Sequence, residues 1–171
     1  CFIENQNMIN YKKHIENLNF HDSNIESIKI EDCDYFDRKL TLRINYYNWE
    51  GNSEDSDTWT TKTLLLIINH CVNLQMNAPN LMEDTFEIMS EEYDLKYNEF
   101  VKRAEEEKKR SYFNHLKSKE LKNFLSIKFN TNNFGDSIFN ESAGFIWIAG
   151  FNVQHEWIEE KVANKKHIAV K

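Results

Sequence analysis

The sequence predicts an α+β domain with a mostly antiparallel sheet of about six strands, packed by one long helix and by a short N-terminal helix. Apolar and polar residues alternate with period two in several segments, as they do in strands with one face in water. A region of helical periodicity interrupts these segments in the second half of the chain. This order of strands, helix and strands is typical of the α+β class.

The first half of the chain contains a short helix and three strands. Residues 8–19 carry apolar side chains at helical spacing, which predicts a short amphipathic helix. Residues 25–31 and 39–47 alternate with period two, and the polar turn between them predicts a β-hairpin. The continuous apolar run at 64–68 predicts a central strand that is buried on both faces.

The second half begins with the long helix. Residues 89–117 combine helical spacing of apolar residues with Glu/Arg and Glu/Lys pairs four residues apart, and Ser90 is the expected N-cap. Strands are predicted at 124–129 and 144–157. Gly150, inside an apolar strand, predicts a bulge or a close approach of two backbones.

We expect a single domain over residues 1–171, in which the polar tail at 161–171 frays. The odd number of cysteines is typical of reduced thiols, which predicts a cytoplasmic protein. Two interpretations of the N-terminus stay open. In the first, Met8 is the natural start and residues 1–7 lie upstream of it. In the second, the chain is a lipid-anchored envelope protein that is acylated at Cys1.

Negative charge is concentrated in the first third of the sequence. The net charge is -7, and residues 1–60 alone hold twelve Asp and Glu against six Lys and Arg. Such a surface repels nucleic-acid backbones and attracts basic proteins. No apolar stretch reaches the length of about 20 residues that a membrane span needs. We therefore expect a protein partner, with no nucleic-acid or membrane partner, and leave the oligomeric state open.

The sequence carries no catalytic, cofactor or metal motif, so we expect no catalytic residues, no cofactor and no metal. His21 and Asp22 are the best candidates for an acid–base pair, but adjacent side chains on an extended chain point to opposite faces. We therefore interpret His21, Asp22 and Ser23 as a structural turn. The alternative is a small hydrolase or a metal-dependent enzyme that uses His21 and Asp22. A separate alternative is a zinc site assembled from distant residues, such as His21, His70 and His155.

An acidic loop flanked by aromatic residues is the candidate binding surface. Aromatic anchors surrounded by charged residues are typical of the residues that dominate protein interfaces. The competing interpretation is that one of the two adjacent tyrosines, Tyr46 or Tyr47, packs in the core while the other lies at the surface. The candidate partner-binding residues are Tyr47, Trp49, Glu50, Glu54, Asp55, Asp57 and Trp59.

Residues 20–49 resemble a family of small bacterial proteins. The motif Phe-His-Asp-Ser-x-Ile-x-x-Ile, followed by Leu-x-Leu-x-Ile-x-Tyr-Tyr-x-Trp, is similar to that of polymorphic-toxin immunity proteins. Many of these proteins carry such a His-Asp element before the first strand. They end with an apolar strand led by glycine, which residues 144–153 resemble. The resemblance implies an inhibitor that binds a toxin directly and has no catalytic residues of its own.

Overall fold

A computed structural model describes residues 10–34, 37–49, 58–77, 86–110, 122–131 and 144–164. These residues form a six-stranded sheet in the order β1-β2-β3-β6-β5-β4, and all neighbouring strands are antiparallel. The predicted α+β class with an antiparallel sheet is therefore confirmed. The elements are α1 (Tyr11–Glu16), β1 (Asn24–Asp34), β2 (Asp37–Tyr47), β3 (Thr58–Asn77), β4 (Ile88–Tyr93), α2 (Tyr97–Lys109), β5 (Leu125–Thr131) and β6 (Phe145–Asn164).

The sheet curls until its two edge strands meet. Asn24, at the start of β1, forms an antiparallel bridge with Glu87, just before β4. The amide of Ile88 donates to the carbonyl of Ser23 over 2.7 Å, and the amide of Ile25 donates to that of Phe86 over 3.0 Å. This seam joins segments that are more than sixty residues apart, and it encloses the main core.

The inward-facing side chains of the curled sheet form that core. The period-two pattern predicted for 39–47 is confirmed, because Leu40, Leu42 and Ile44 of β2 are buried whereas the residues between them are only half-buried. Opposite them, Leu64, Leu66 and Ile68 of β3 are fully buried. On the opposite face of β3, Ile67 is also buried but Leu65 is only half-buried. Burial on both faces, as predicted for 64–68, is thus complete at Ile67 and partial at Leu65. The other core residues are Ile15, Phe20, Ile25, Tyr46, Ile88, Leu125, Ile127, Phe129, Ile146, Ile148 and Val153.

Gly150 is required by a close approach between β6 and β3. A Cβ atom at this position would overlap the Cγ2 of Ile68 and the backbone oxygen of His70. The register between the two strands is irregular on β3 between Cys71, which pairs with Gly150, and Asn73, which pairs with Ala149. The close backbone approach predicted for Gly150 is therefore confirmed, whereas the bulge lies opposite it, on β3.

Helix α2 packs against the outer side of β6. Phe100, Val101 and Ala104 of α2 pack against Phe124 and Phe151 in a second apolar cluster. Helix α1 is shorter, and its N-cap Asn10 accepts a hydrogen bond from the amide of Lys13. Neither helix is long and apolar enough to cross a membrane, and this holds for the described part of the chain.

The helix predicted over 89–117 is wrong at its start. Residues Ile88–Tyr93 form β4, and α2 begins only at Tyr97. Ser90 is therefore a strand residue and not a helix cap; its hydroxyl accepts a hydrogen bond from Asn130 of β5. Burial of Ile88 in the core and pairing with β5 outweigh the helix preference of the glutamates. The described part of α2 spans 13 residues, so one long helix is not confirmed.

The first four residues of the tail that is predicted to fray, 161–171, belong to β6. Strand β6 continues to Asn164, which pairs with Thr58 at the start of β3. Local composition does not predict this strand, because its polar residues are held by backbone hydrogen bonds to a polar stretch of β3 that is distant in sequence. The remainder of the tail lies outside the described residues.

Candidate functional site

The corner between α1 and β1 is tied to the end of β2 by Ser23. Its side chain is fully buried, and its hydroxyl oxygen accepts a hydrogen bond from the amide of Tyr47 over 3.1 Å. The amide of Ser23 donates to the carbonyl of Phe20 over 3.0 Å, which closes the turn. The amide of Asp22 donates to Ile88 on β4 over 3.1 Å. The corner is therefore fixed from two sides.

His21 and Asp22 lie together, contrary to the expectation that they point to opposite faces. The Nδ1 of His21 is 2.8 Å from the Oδ1 of Asp22. The expectation assumed an extended backbone, but Asp22 has a φ of 62° and is left-handed. This conformation turns the two neighbouring side chains toward one another. Both side chains remain accessible, with 45% and 39% of their surfaces exposed.

Glu91 of β4 is a third titratable group beside this corner. Burial raises the pKa of the Glu91 carboxyl, while a hydrogen bond from the backbone of Phe20 and the charge of His21 lower it in part. The corner thus brings an imidazole and two carboxylates together. Glu91 was not identified from the sequence, because its proximity to His21 depends on the seam between β1 and β4.

The aromatic residues after β2 pack on the same corner. The indole Nε1 of Trp49 donates a hydrogen bond to the backbone oxygen of His21 over 3.2 Å. The ring centroid of Trp49 lies 6.1 Å from that of His21 and 4.9 Å from that of Tyr47. Trp49 nevertheless keeps 41% of its surface exposed. We call the set formed by His21, Asp22, Tyr47 and Trp49 the Trp49 surface.

Neighbouring hydrogen bonds hold the backbone under the Trp49 surface. The amide and the side-chain nitrogen of the buried Asn48 donate to the backbone oxygen and the hydroxyl of Thr60, over 3.1 Å and 3.0 Å. Trp59, another candidate residue, lies next to Thr60 on β3, is half-buried and pairs with Ala163. The four predicted acidic residues lie outside the described residues: Glu50, Glu54, Asp55 and Asp57.

Tyr46 and Tyr47 divide as the competing interpretation described. Tyr46 is 8% exposed and points into the core, where its ring contacts those of Phe20 and Trp157 at 5.8 Å and 5.2 Å. Tyr47 is half-buried on the other side of β2. Trp157 is 43% exposed and marks the end of the core near Tyr46. The period-two pattern of β6 includes Trp157, but it did not identify it as a candidate residue.

His155 is surrounded by aromatic rings between α1 and β6. Its ring centroid lies 5.5 Å from that of Tyr11 and 5.9 Å from that of His14. Its Nδ1 is buried and has no hydrogen-bond partner among the described residues. Burial lowers the pKa of His155, and the charge of His14 lowers it further.

Basic residues compensate the acidic residues on the described strands of the first third. Glu26 lies 2.7 Å from Arg43, and Glu31 lies 2.8 Å from Lys29. Asp32 is similarly paired with Arg38 at 3.2 Å. The excess negative charge of this third is therefore not concentrated on the hairpin formed by β1 and β2.

The histidines proposed for a zinc site occupy different surroundings. His21 contacts Trp49, His155 contacts His14, and His70 is buried beside Phe151. Within the described ranges, no three His, Cys, Asp or Glu side chains are grouped so that they could hold a metal ion.

The chain matches no model of a known protein family, no curated protein and no solved structure.

Proposed function

We propose that this chain is a non-catalytic binding protein, a cytoplasmic immunity protein that neutralises a bacterial toxin by direct contact through the Trp49 surface. The observation that carries the proposal is the exposure of a large indole ring on a well-anchored corner. Tryptophan is among the residues that contribute most to protein interfaces. A ring that is 41% exposed in the free chain still has surface to bury against a partner.

The anchoring of Trp49 supports binding because little conformational freedom is left to lose. Its Nε1 is bonded to His21, and its ring packs against that of Tyr47. Ordering a side chain at an interface costs about 0.5–1.5 kcal/mol, and a ring that is already ordered avoids most of this cost. Trp49 is thus well suited to be the central anchor.

The net charge supports a basic partner. The acidic residues Glu50, Glu54, Asp55 and Asp57 directly follow Trp49 in the sequence. In our proposal their negative charge attracts a positively charged toxin domain. Charges at the rim of an interface act mainly on the rate of association, whereas buried anchors act on dissociation. Toxins that act on nucleic acids are natural candidates, since they need basic surfaces.

The experiment is a protection assay with the toxin domain encoded beside this chain. Co-expression of the chain should restore growth, and Trp49→Ala should abolish most of this protection while the chain stays folded. Met76→Ala is the matched control, because Met76 is 48% exposed but lies near the opposite end of β3. Adjacent genes that encode only metabolic enzymes would contradict the proposal, as would full protection by Trp49→Ala.

The second candidate function is acid–base catalysis, and the contact between His21 and Asp22 favours it. A carboxylate on Nδ1 orients an imidazole so that Nε2 can accept a proton. With 45% of its side chain exposed, His21 is accessible to a substrate. A broad hydrolase screen tests this alternative. Activity of the parent chain that His21→Gln and Asp22→Asn both remove would favour an enzyme over an immunity protein.

A further inference from the structure

Among the described residues, the outer edge of β1 has no neighbouring strand beyond the seam. Hydrogen bonding across the seam ends at Ile25, and no strand among the described residues pairs with 27–32 on that side. The register of β1 with β2 is irregular only between Ile25 and Ser27 and between Asp32 and Asp34. The intervening stretch is therefore regularly paired with β2, and its outward backbone groups are in strand geometry to pair with another strand.

An exposed apolar side chain stands in the middle of this segment. Ile30 is 53% exposed, the highest value among the large apolar side chains of the described residues. Its neighbour across the hairpin, Leu40, is only 1% exposed. Residues that face each other in an antiparallel pair lie on the same side of the sheet. Ile30 thus continues the apolar inner face of the sheet to its edge, where a further strand would cover it.

The charge pattern beside Ile30 is complementary to the same pattern on a second copy that runs antiparallel to it. Lys29 and Glu31 flank Ile30 on the other face of the strand, where they form an ion pair of 2.8 Å within the chain and keep 67% and 39% of their side-chain surfaces exposed. We propose that this edge pairs antiparallel with the same edge of a second copy of the chain, about a two-fold axis at Ile30. Lys29 of each copy then faces Glu31 of the other, and the two Ile30 side chains face each other.

The charge pattern selects this register over its neighbours. Side chains on one face must match across the pair, so the register can change only in steps that keep inner residues opposite inner residues. A two-fold axis at Lys29 would place two lysines opposite each other, and an axis at Glu31 would oppose two glutamates. Like charges directly opposite are destabilising, whereas opposite charges attract. The axis at Ile30 is the one that gives two attractive pairs.

Charge reversal tests the proposed pairing. Sedimentation velocity of the full chain, under reducing conditions from about 5 to 500 µM, should reveal a concentration-dependent dimer. Lys29→Glu or Glu31→Lys alone should raise the Kd of the dimer at least about tenfold, because each substitution places like charges opposite each other in the proposed interface. The double reversal should return the Kd to within about threefold of the parent, since opposite charges then face each other again.

A reversal on another surface provides the control for this series. Lys102→Glu on the exposed side of α2 should leave the Kd unchanged. A chain that remains monomeric over the whole range overturns the proposal. The proposal is also overturned if the single reversals leave the Kd of the dimer unchanged. It is likewise overturned if the double reversal dimerises no more tightly than the single reversals.

Disulfide trapping tests the register directly. In a chain with Cys1→Ser and Cys33→Ser, Ile30→Cys places two thiols opposite each other, where facing Cβ atoms lie about 4.5–5.5 Å apart. Mild oxidation should cross-link Ile30→Cys at least about tenfold faster than Ile158→Cys, a control whose parent residue is 49% exposed. Equal rates of cross-linking for the two variants would overturn the proposed register.

Discussion

The indole Nε1 of Trp49 donates a hydrogen bond to the backbone oxygen of His21, although the two residues are 28 positions apart. This bond joins the corner before β1 to the end of β2. It therefore connects the two ends of the segment 20–49. The same contact that stabilises the hairpin also holds an exposed ring in a fixed position, so the fold and the proposed binding surface depend on one another.

Replacement of Ser23 tests the corner beneath this bond. Ser23→Ala removes the acceptor of the Tyr47 amide in a buried position. A buried donor left without a partner costs about 1–3 kcal/mol, and we expect a loss of unfolding free energy in that range. Urea unfolding measures it. Ser27→Ala, at an exposed position of β1, is the control and should change stability little. Equal stability of both variants would contradict the role assigned to Ser23.

Gly150→Ala tests the close approach of β6 to β3. The new methyl group would overlap Ile68 and the backbone of His70, and a backbone cannot move aside cheaply. Overpacking of this kind costs about 1–3 kcal/mol. Ala149→Gly is a control on the adjacent residue, because it removes a methyl group instead of adding one. A Gly150→Ala chain as stable as the parent would show that the two strands are further apart.

Local patterns in the sequence predicted the elements whose cause is local. The continuous apolar run at 64–68 indicated a central strand, and β3 does lie at the centre of the sheet. Gly150 inside an apolar strand indicated a close approach for a similar reason. In each case the residue type responds to its immediate surroundings.

Features created by distant partners could not be predicted in this way. Glu91 has a helical preference, but pairing with β5 places it in a strand. The contact of His21 with Asp22 depends on a left-handed backbone that adjacent polar residues do not reveal. The seam between Asn24 and Glu87 brings together segments that no local pattern relates. Tertiary pairing therefore determined what the candidate site contains.

Protonation of His155 should destabilise the fold at acidic pH. Its folded-state pKa is lowered from 6.5, so the unfolded chain binds more protons when the pH falls below that value. The stability that the neutral His155 contributes is therefore fully present above pH 6.5, and it is lost as the pH falls from there through the lowered pKa of the folded state. Urea unfolding between about pH 7.5 and 5 measures this dependence.

His155→Phe separates this contribution from those of other groups. Phenylalanine keeps a ring against Tyr11 and His14 but cannot be protonated. The variant should lose less stability than the parent between about pH 7 and 5. Both chains contain the same carboxylates, including Glu91. The contribution of the carboxylates therefore cancels when the two pH profiles of the unfolding free energy are subtracted. Parallel pH profiles would contradict the assignment to His155.

Reversal of the four acidic residues tests electrostatic attraction. Replacing Glu50, Glu54, Asp55 and Asp57 by lysine should slow association with the toxin domain and change dissociation little. The effect should weaken with salt, because the Debye length falls from about 10 Å at 0.1 M to about 3 Å at 1 M. Stopped-flow association at both salt concentrations measures it, and a thermal melt checks folding. An unchanged association rate at low salt would show that this loop does not attract the partner.

The rate at which the Trp49→Ala chain dissociates from the toxin domain tests the central claim most directly. A buried anchor contributes about 2 kcal/mol or more, so dissociation should accelerate at least about thirtyfold while association changes little. Met76→Ala should dissociate at the rate of the parent chain. If Trp49→Ala dissociates as slowly as Met76→Ala and remains folded, the Trp49 surface is not where the partner binds.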